Sequence, residues 1–291
     1  REERHLRCPG SAPVTTRTLV LGALFASIIM SPAWAKKKGP DVAALVAELP
    51  KCESLETCPT TQKLIALGPK IWPAIKVGLT APQELTRFWT LGVLSEVVTK
   101  SAIGDIAKAI DDPEIRVRAA AAYALGAQRN RAVTPHLIRA AADKDLNVRF
   151  AAVVAMGRVQ DPKTIDTLLG ALRDKDDDVR GYAAYALGDI GDRRATERLC
   201  ERLREDLISK VRGMSAMALG SLKDPASKAT LLERLKSEDD DKALAAVIYA
   251  TGQLRDPSTR AAIERHATHK SKEVREYVKD ALKTLDAPKK P

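Results

Sequence analysis

Few residues in this chain combine the type and spacing that chemistry needs. Of its four histidines, His5, His136, His266 and His269, only the last two stand close, at i and i+3, where one helix face can carry both. A metal site wants more ligands than that pair supplies, so solvated histidines near a turn are expected. Asp174, Asp176 and Asp178 begin like a calcium loop. The template then needs Gly at its sixth and Glu at its twelfth position, where this chain has Val179 and Tyr185. Cys52 and Cys58 flank the string ESLET, and in an oxidising compartment they would close a short disulfide loop. Cys200 falls in a column shared with Ile138, Leu169, Leu232 and Ile263, which reads as a core thiol. No Gly-x-Ser-x-Gly, Gly-rich phosphate loop, Cys-x-x-Cys or Ser/His/Asp arrangement is visible. The expectation is a protein without catalytic residues, cofactor or metal.

The charged residues that do recur are periodic. Val-Arg stands at 117–118, 148–149, 179–180, 211–212 and 274–275, with Ala243-Leu244 in the same place between the last two. Gly126, Gly157, Gly188, Gly220 and Gly252 follow eight residues after each Arg or its substitute, in steps of 31, 31, 32 and 32. An aspartate precedes each strong Arg by six residues, giving the pairs Asp112/Arg118, Asp143/Arg149, Asp174/Arg180 and Asp206/Arg212. Such regularity suits a structural ladder better than a binding strip, because ion-pair networks also cluster charge. Glu238–Asp241 reads as a solvated turn and helix start.

These residues must be positioned by helices. Aromatics make up 4% of the chain, and Ala and Leu, the best apolar helix formers, carry its apolar content. Four residues after each glycine comes Asn130, Asp161, Asp192, Asp224 or Asp256, three of them followed by Pro, which is a helix start. A second helix follows, with apolar residues at helical spacing, such as Leu168, Leu169 and Leu172. Tyr123, Tyr185 and Tyr249 share a column with Val154 and Met217, which reads as packing rather than an aromatic cage or base-stacking platform. One helix pair cannot bury its stripe alone, and stacked neighbours can. The fold expected is all-α, a right-handed α–α superhelix, that is, a solenoid of helix pairs. Regular units span 112–270, degenerate units 41–111, a capping helix 271–286 and a tail 287–291.

This pattern resembles the HEAT repeat superfamily, and within it the short HEAT-like repeat of the phycobilisome (PBS) lyase type, with its D-x-x-V-R-x-x-A-x-x-A-L-G signature. It reads most clearly at Asp145–Gly157 and Asp177–Gly188, with one-residue variation in spacing. The resemblance implies a HEAT-like, armadillo-like helical solenoid and a ladder of Asp and Arg between repeats. HEAT-like hydroxylases bind iron through His-Glu dipeptides; the chain has none, so that activity does not carry over.

Residues 19–30, LVLGALFASIIM, are apolar or small. A helix of that length spans about 18 Å, against about 30 Å of bilayer hydrocarbon. Arg17 precedes the run, Pro32 follows it, and Ala33-Trp34-Ala35 supplies the small residues of a cleavage site. Residues 1–35 therefore read as a secretory signal cut after Ala35, with 1–13 as mis-annotated upstream residues if translation starts at Val14. Lys36–Pro40 would be a linker. No cysteine follows the run directly, so lipidation is not expected. Localisation is expected to be periplasmic or secreted, with no stable membrane span after cleavage. The net charge is +10; losing the four Arg and two Glu of the leader leaves +8, a mild preference for anionic partners.

The function expected is that of an exported scaffold or adaptor, a monomer binding another protein or peptide segment on its concave face. With that face assigned to the second helices, Arg139, Glu201, Arg202, Glu233, Arg234, Glu264 and Arg265 are the candidate partner-binding residues, alternating in sign. A lyase-like or chaperone-like accessory role of the PBS lyase type is the alternative. Nucleic-acid binding, known among basic HEAT-like glycosylases, is disfavoured by mixed charge and scarce aromatics.

Overall fold

The computed structural model describes residues 40–287. The apolar leader, the cleavage point after Ala35, Lys36–Gly39 and the last four residues lie outside that range. Among the described residues there are sixteen α-helices and no strand. Three short helices come first: α1 (Val42–Glu48), α2 (Pro59–Ala66) and α3 (Trp72–Ile75). Then long and short helices alternate. The long ones are α4 (Glu84–Glu96), α6 (Ile115–Ala127), α8 (Leu146–Val159), α10 (Asp177–Ile190), α12 (Ser209–Leu222), α14 (Asp241–Gln253) and α16 (Lys272–Asp286). The short ones are α5 (Ile103–Lys108), α7 (Thr134–Ala140), α9 (Ile165–Ala171), α11 (Thr196–Glu205), α13 (Lys228–Ser237) and α15 (Arg260–Glu264). The chain is an all-α solenoid of helix pairs.

Local sequence sets the helix ends. Asp145, Asp176, Asp240 and Ser271 accept hydrogen bonds from first-turn backbone N–H groups of α8, α10, α14 and α16. At the other end of the unit, Asn130, Asp161, Asp192, Asp224 and Asp256 each accept from the N–H two residues on. Each opens a 3-10 turn that runs into a short helix. The residue just before each of these caps is left-handed: Arg129, Gln160, Gly191, Lys223 and Arg255, with φ of 45°, 50°, 78°, 49° and 52°. Only one of the five is glycine, the residue for which this conformation is free of strain.

The cap carboxylates also tie units together. Thr134 donates to Asp161 (2.7 Å), Thr196 donates to Asp224 (2.7 Å), and Lys228 reaches Asp256 (2.6 Å). Burial alone would raise the Asp161 carboxyl; hydrogen bonds from Thr134 and the Lys163 N–H hold it below its usual range.

Consecutive long helices pack almost backbone to backbone, which explains the glycine column. A Cβ on Gly126 would lie 2.6 Å from Cβ of Ala155, and one on Gly188 would lie 2.7 Å from Cα of Ala218. One on Gly252 would lie 2.7 Å from Cβ of Ala281. The long helices thus run side by side along the stack, whereas successive short helices barely meet. Between the layers sit fully buried side chains such as Leu125, Leu137, Met156 and Leu168. In α16, the last described helix, exposed Lys283 occupies the register of the stacking glycines.

Candidate functional site

The ladder reaches across units. Each strong Arg donates to the acid of the next unit and, through its remaining nitrogen, to backbone carbonyls of its own turn. Arg149 illustrates the rung: Nε donates to Asp174 Oδ2 (2.7 Å) and Nη2 to Oδ1 (2.9 Å), while Nη1 donates to the carbonyls of Asp143 (3.1 Å) and Lys144 (3.0 Å). Arg118 holds Asp143, and Arg180 holds Asp206, in the same way. The Asp six residues before an Arg is therefore its carbonyl partner, and that carboxylate serves the preceding unit. These carboxylates also accept from the N–H two residues on, as in Asp145 to Asp143 and Asp176 to Asp174.

Two rungs escape the sequence pattern. Arg87 grips Asp112 bidentately (2.7 and 2.9 Å), one unit ahead of the regular array read from Val-Arg, because Thr86 stands where Val does elsewhere. At the other end Arg212 takes Glu238 (2.9 and 2.6 Å) in place of Asp. Glu238 was expected in a solvated turn. Its side chain is instead fully buried, with Arg234 as a second cation at 2.7 Å. Its longer side chain reaches the same guanidinium from the same column. Burial would raise its pKa, but the two guanidinium hydrogen bonds bring it down to about 2. Asp143, Asp174 and Asp206 follow the same balance, with burial outweighed by Arg118, Arg149 and Arg180.

The other chemistry-bearing residues are spent structurally. Asp174 holds Arg149, Asp176 caps α10, and Asp178 pairs with Lys210. Cys52 and Cys58 are disulfide-bonded, with Cα atoms 5.4 Å apart. The loop they close presents Leu55, whose carbonyl accepts from Thr61 and Gln62. Cys200 is buried, which pushes its thiol pKa up. His269 accepts the Ser271 N–H at 3.2 Å, and its ring lies 6.4 Å from that of His266. Burial, then the nearby His269, lowers the His266 pKa. Among the described residues no group of three or more His, Cys, Asp or Glu is arranged to hold a metal.

The charged residues assigned to a concave face sit on the short-helix layer and mostly pair with one another or with the ladder. Arg139 meets Asp111, Glu201 meets Arg198, and Glu264 meets Arg260. Arg202 leans on Glu205 and Asp206, and Arg234 on Glu238. Glu233 and Arg265 are exposed. In a curved two-layer stack the more closely spaced layer lies inside. Here the long helices are the more closely packed layer, through contacts such as that of Gly126 on Ala155.

That layer is where the aromatics gather. Of nine described aromatic rings, eight lie on long helices, at the first, second or fifth position after the ladder Arg or its equivalent. At 100° per residue these positions form one strip along the edge of the buried stripe: seven of the eight rings are half-buried, six of them against the core, and Tyr185 is exposed. Tyr185 is 51% exposed and Met217 37%. In the column read as packing, Tyr123, Val154 and Tyr249 are half-buried, with Tyr123 against the core, and Tyr185 and Met217 are exposed. Rings meet across units, with Phe150 against Tyr182 (4.8 Å) and Tyr249 against Tyr277 (6.5 Å), both edge to face. Arg158 lies over Tyr123, 5.7 Å from its centroid. Burial raises the Asp189 carboxyl, against a hydrogen bond from the Tyr185 hydroxyl. At the N-terminal end of the strip a cleft of about 470 Å³ opens between α4 and α6. Its wall includes Trp89, whose indole N–H is buried with no acceptor among the described residues. No helix of the described residues is long and apolar enough to cross a membrane.

Comparison with known proteins gives the same architecture. The Escherichia coli protein YibA superposes with a TM-score of 0.60 at 19% identity, covering 88% of this chain and all of that one. An engineered protein superposes at 0.53 and 19% identity, covering 84% of this chain and 78% of its own. The complex of CpcE and CpcF of phycocyanin lyase from Nostoc sp. PCC7120 scores 0.49 at 20% identity, covering 73% of this chain and 94% of that chain. No curated protein sequence matches. The model of the HEAT repeats matches residues 73–147, 105–184, 134–209 and 166–251, together more than half of the chain's 291 residues. With its helix pairs, its inter-unit Arg–acid rungs and this match, the chain belongs to the HEAT repeat family.

Proposed function

We propose that the chain is an exported, non-catalytic scaffold that binds a protein segment on its long-helix face. HEAT repeats commonly serve protein interactions. The observation that carries the reading here is the half-buried aromatic strip of the long helices, with Tyr185 and Met217 exposed on it. A face that only needed solubility would not collect eight of nine described rings, and aromatic residues are enriched where partners dock. The short-helix layer is a weaker candidate, because its charges are largely satisfied within the chain. Export is supported by the leader-like residues 19–35 and by the Cys52–Cys58 bond, which suits an oxidising compartment.

The test is partner capture from envelope extracts by the chain purified from its own cells. Tyr185→Glu with Met217→Glu should cut capture by about tenfold or more, as expected for exposed anchor residues. Glu233→Arg with Arg265→Glu on the opposite layer should leave it within about twofold. The reverse pattern would move the working surface back to the short helices.

A further inference from the structure

We infer that the cleft between α4 and α6 is a binding site for a small amphiphile with an apolar body and one anionic head, the chemistry of a medium-chain carboxylate. The inference does not depend on the scaffold reading. Leu55, Phe88, Trp89, Ile115 and Tyr123 supply apolar and aromatic wall, and the volume of about 470 Å³ lies within the roughly 300–1,000 Å³ of small-ligand sites. Phe88 and Trp89 brace each other edge to face at 4.8 Å.

The hollow exists because α6 places the small Ala119 and Ala120 between Ile115 and Tyr123 on its side of the cleft. In later units the equivalent space between long helices is filled by the chain itself. Phe150 and Tyr182 pack together between α8 and α10. The Met214 sulfur lies 2.8 Å from where a Gly181 Cβ would be, covering the space between α10 and α12. In α6 the two residues after Arg118 are Ala119 and Ala120, too small to plug the gap. A ligand's apolar body would occupy the place that a ring or a Met holds further along.

The charge of the head is set by the lip. Among the lining residues the one charged group is Arg116. Its Nε meets Glu84 at 2.9 Å and its side chain is 61% exposed, and a guanidinium paired through one nitrogen keeps further donors for a second acceptor.

The experiment titrates the purified full chain with decanoate and with uncharged decanol, reading tryptophan emission and calorimetric heat. Saturable binding of one decanoate per chain should change the Trp89 emission. Ala120→Leu, and separately Ala119→Leu, should abolish both ligands by filling the hollow while the circular dichroism stays helical. Arg116→Gln should weaken decanoate about three- to fivefold and leave decanol unchanged, the size expected of an exposed ion pair. Absence of saturable decanoate binding would overturn the inference. So would full binding by both filled variants, equal loss of both ligands in Arg116→Gln, or binding only of a peptide with an apolar C-terminal residue.

Discussion

A guanidinium that spends one nitrogen on its own turn and two on the next unit is hard to replace. The side chains of Arg149 and Asp174 are only 11% and 12% exposed, so removing one leaves the other charge nearly dry. Arg149→Ala should cost about 3 kcal/mol in urea unfolding. Arg149→Lys should cost about 2 kcal/mol, because an ammonium cannot reproduce the planar fork; a lysine variant as stable as the parent would contradict the rung geometry. The ladder also sets an acid limit. Asp143, Asp174, Asp206 and Glu238 have folded pKa values below their ordinary ones, with Glu238 at about 2. Groups depressed in this way contribute stability above their unfolded pKa of about 4. That contribution drains as pH falls through the folded values. Denaturant midpoints should therefore hold above about pH 5 and fall steeply towards about pH 2; a flat profile across that window would refute the linkage. The columns themselves were legible from spacing. The rung partners were not, because spacing within a unit cannot show which carboxylate of a neighbour a side chain reaches. Arg87 and Glu238 escaped because Thr86 and a longer acid broke the lettering without changing the geometry.

Helix against helix, the stack depends on missing methyl groups. Gly126→Ala or Gly188→Ala should destabilise by about 1–3 kcal/mol, since the new Cβ overpacks a neighbouring backbone. Gly170 on α9 has nothing within 4 Å of its Cβ position, so Gly170→Ala should stabilise by roughly 0.8–1 kcal/mol through helix propensity alone. Thermal unfolding of the three variants separates the two effects. If Gly126→Ala were stabilising, the close approach of α6 and α8 would be wrong. The glycine column was plain in the sequence, but its cause was not, because the atom that forbids a side chain belongs to the next helix. The left-handed exits were invisible for a different reason: only Gly191 marks them, and Arg129, Gln160, Lys223 and Arg255 carry no conformational signature.

At the scale of the molecule, period and composition were enough to read helix pairs and their stacking, since a stripe that one pair cannot bury forces an array. They were not enough to say which layer faces inward. That depends on interhelical spacing, set by the glycine–alanine contacts, and one helical period cannot separate the half-buried Tyr123, Val154 and Tyr249 from the exposed Tyr185 and Met217 of the same column. Among the described residues, the first unit carries a disulfide-closed loop with Leu55, and the last helix bears Lys283 in the glycine register. Site-specific photocrosslinking in living cells tests the account most directly, with the photoreactive residue placed at Tyr185 or Met217 on the long helices, and at Glu233 or Arg265 on the short ones. The account predicts one discrete protein adduct from the first two positions and none from the second two. Adducts formed only from the short-helix positions, or from none of the four, would contradict it.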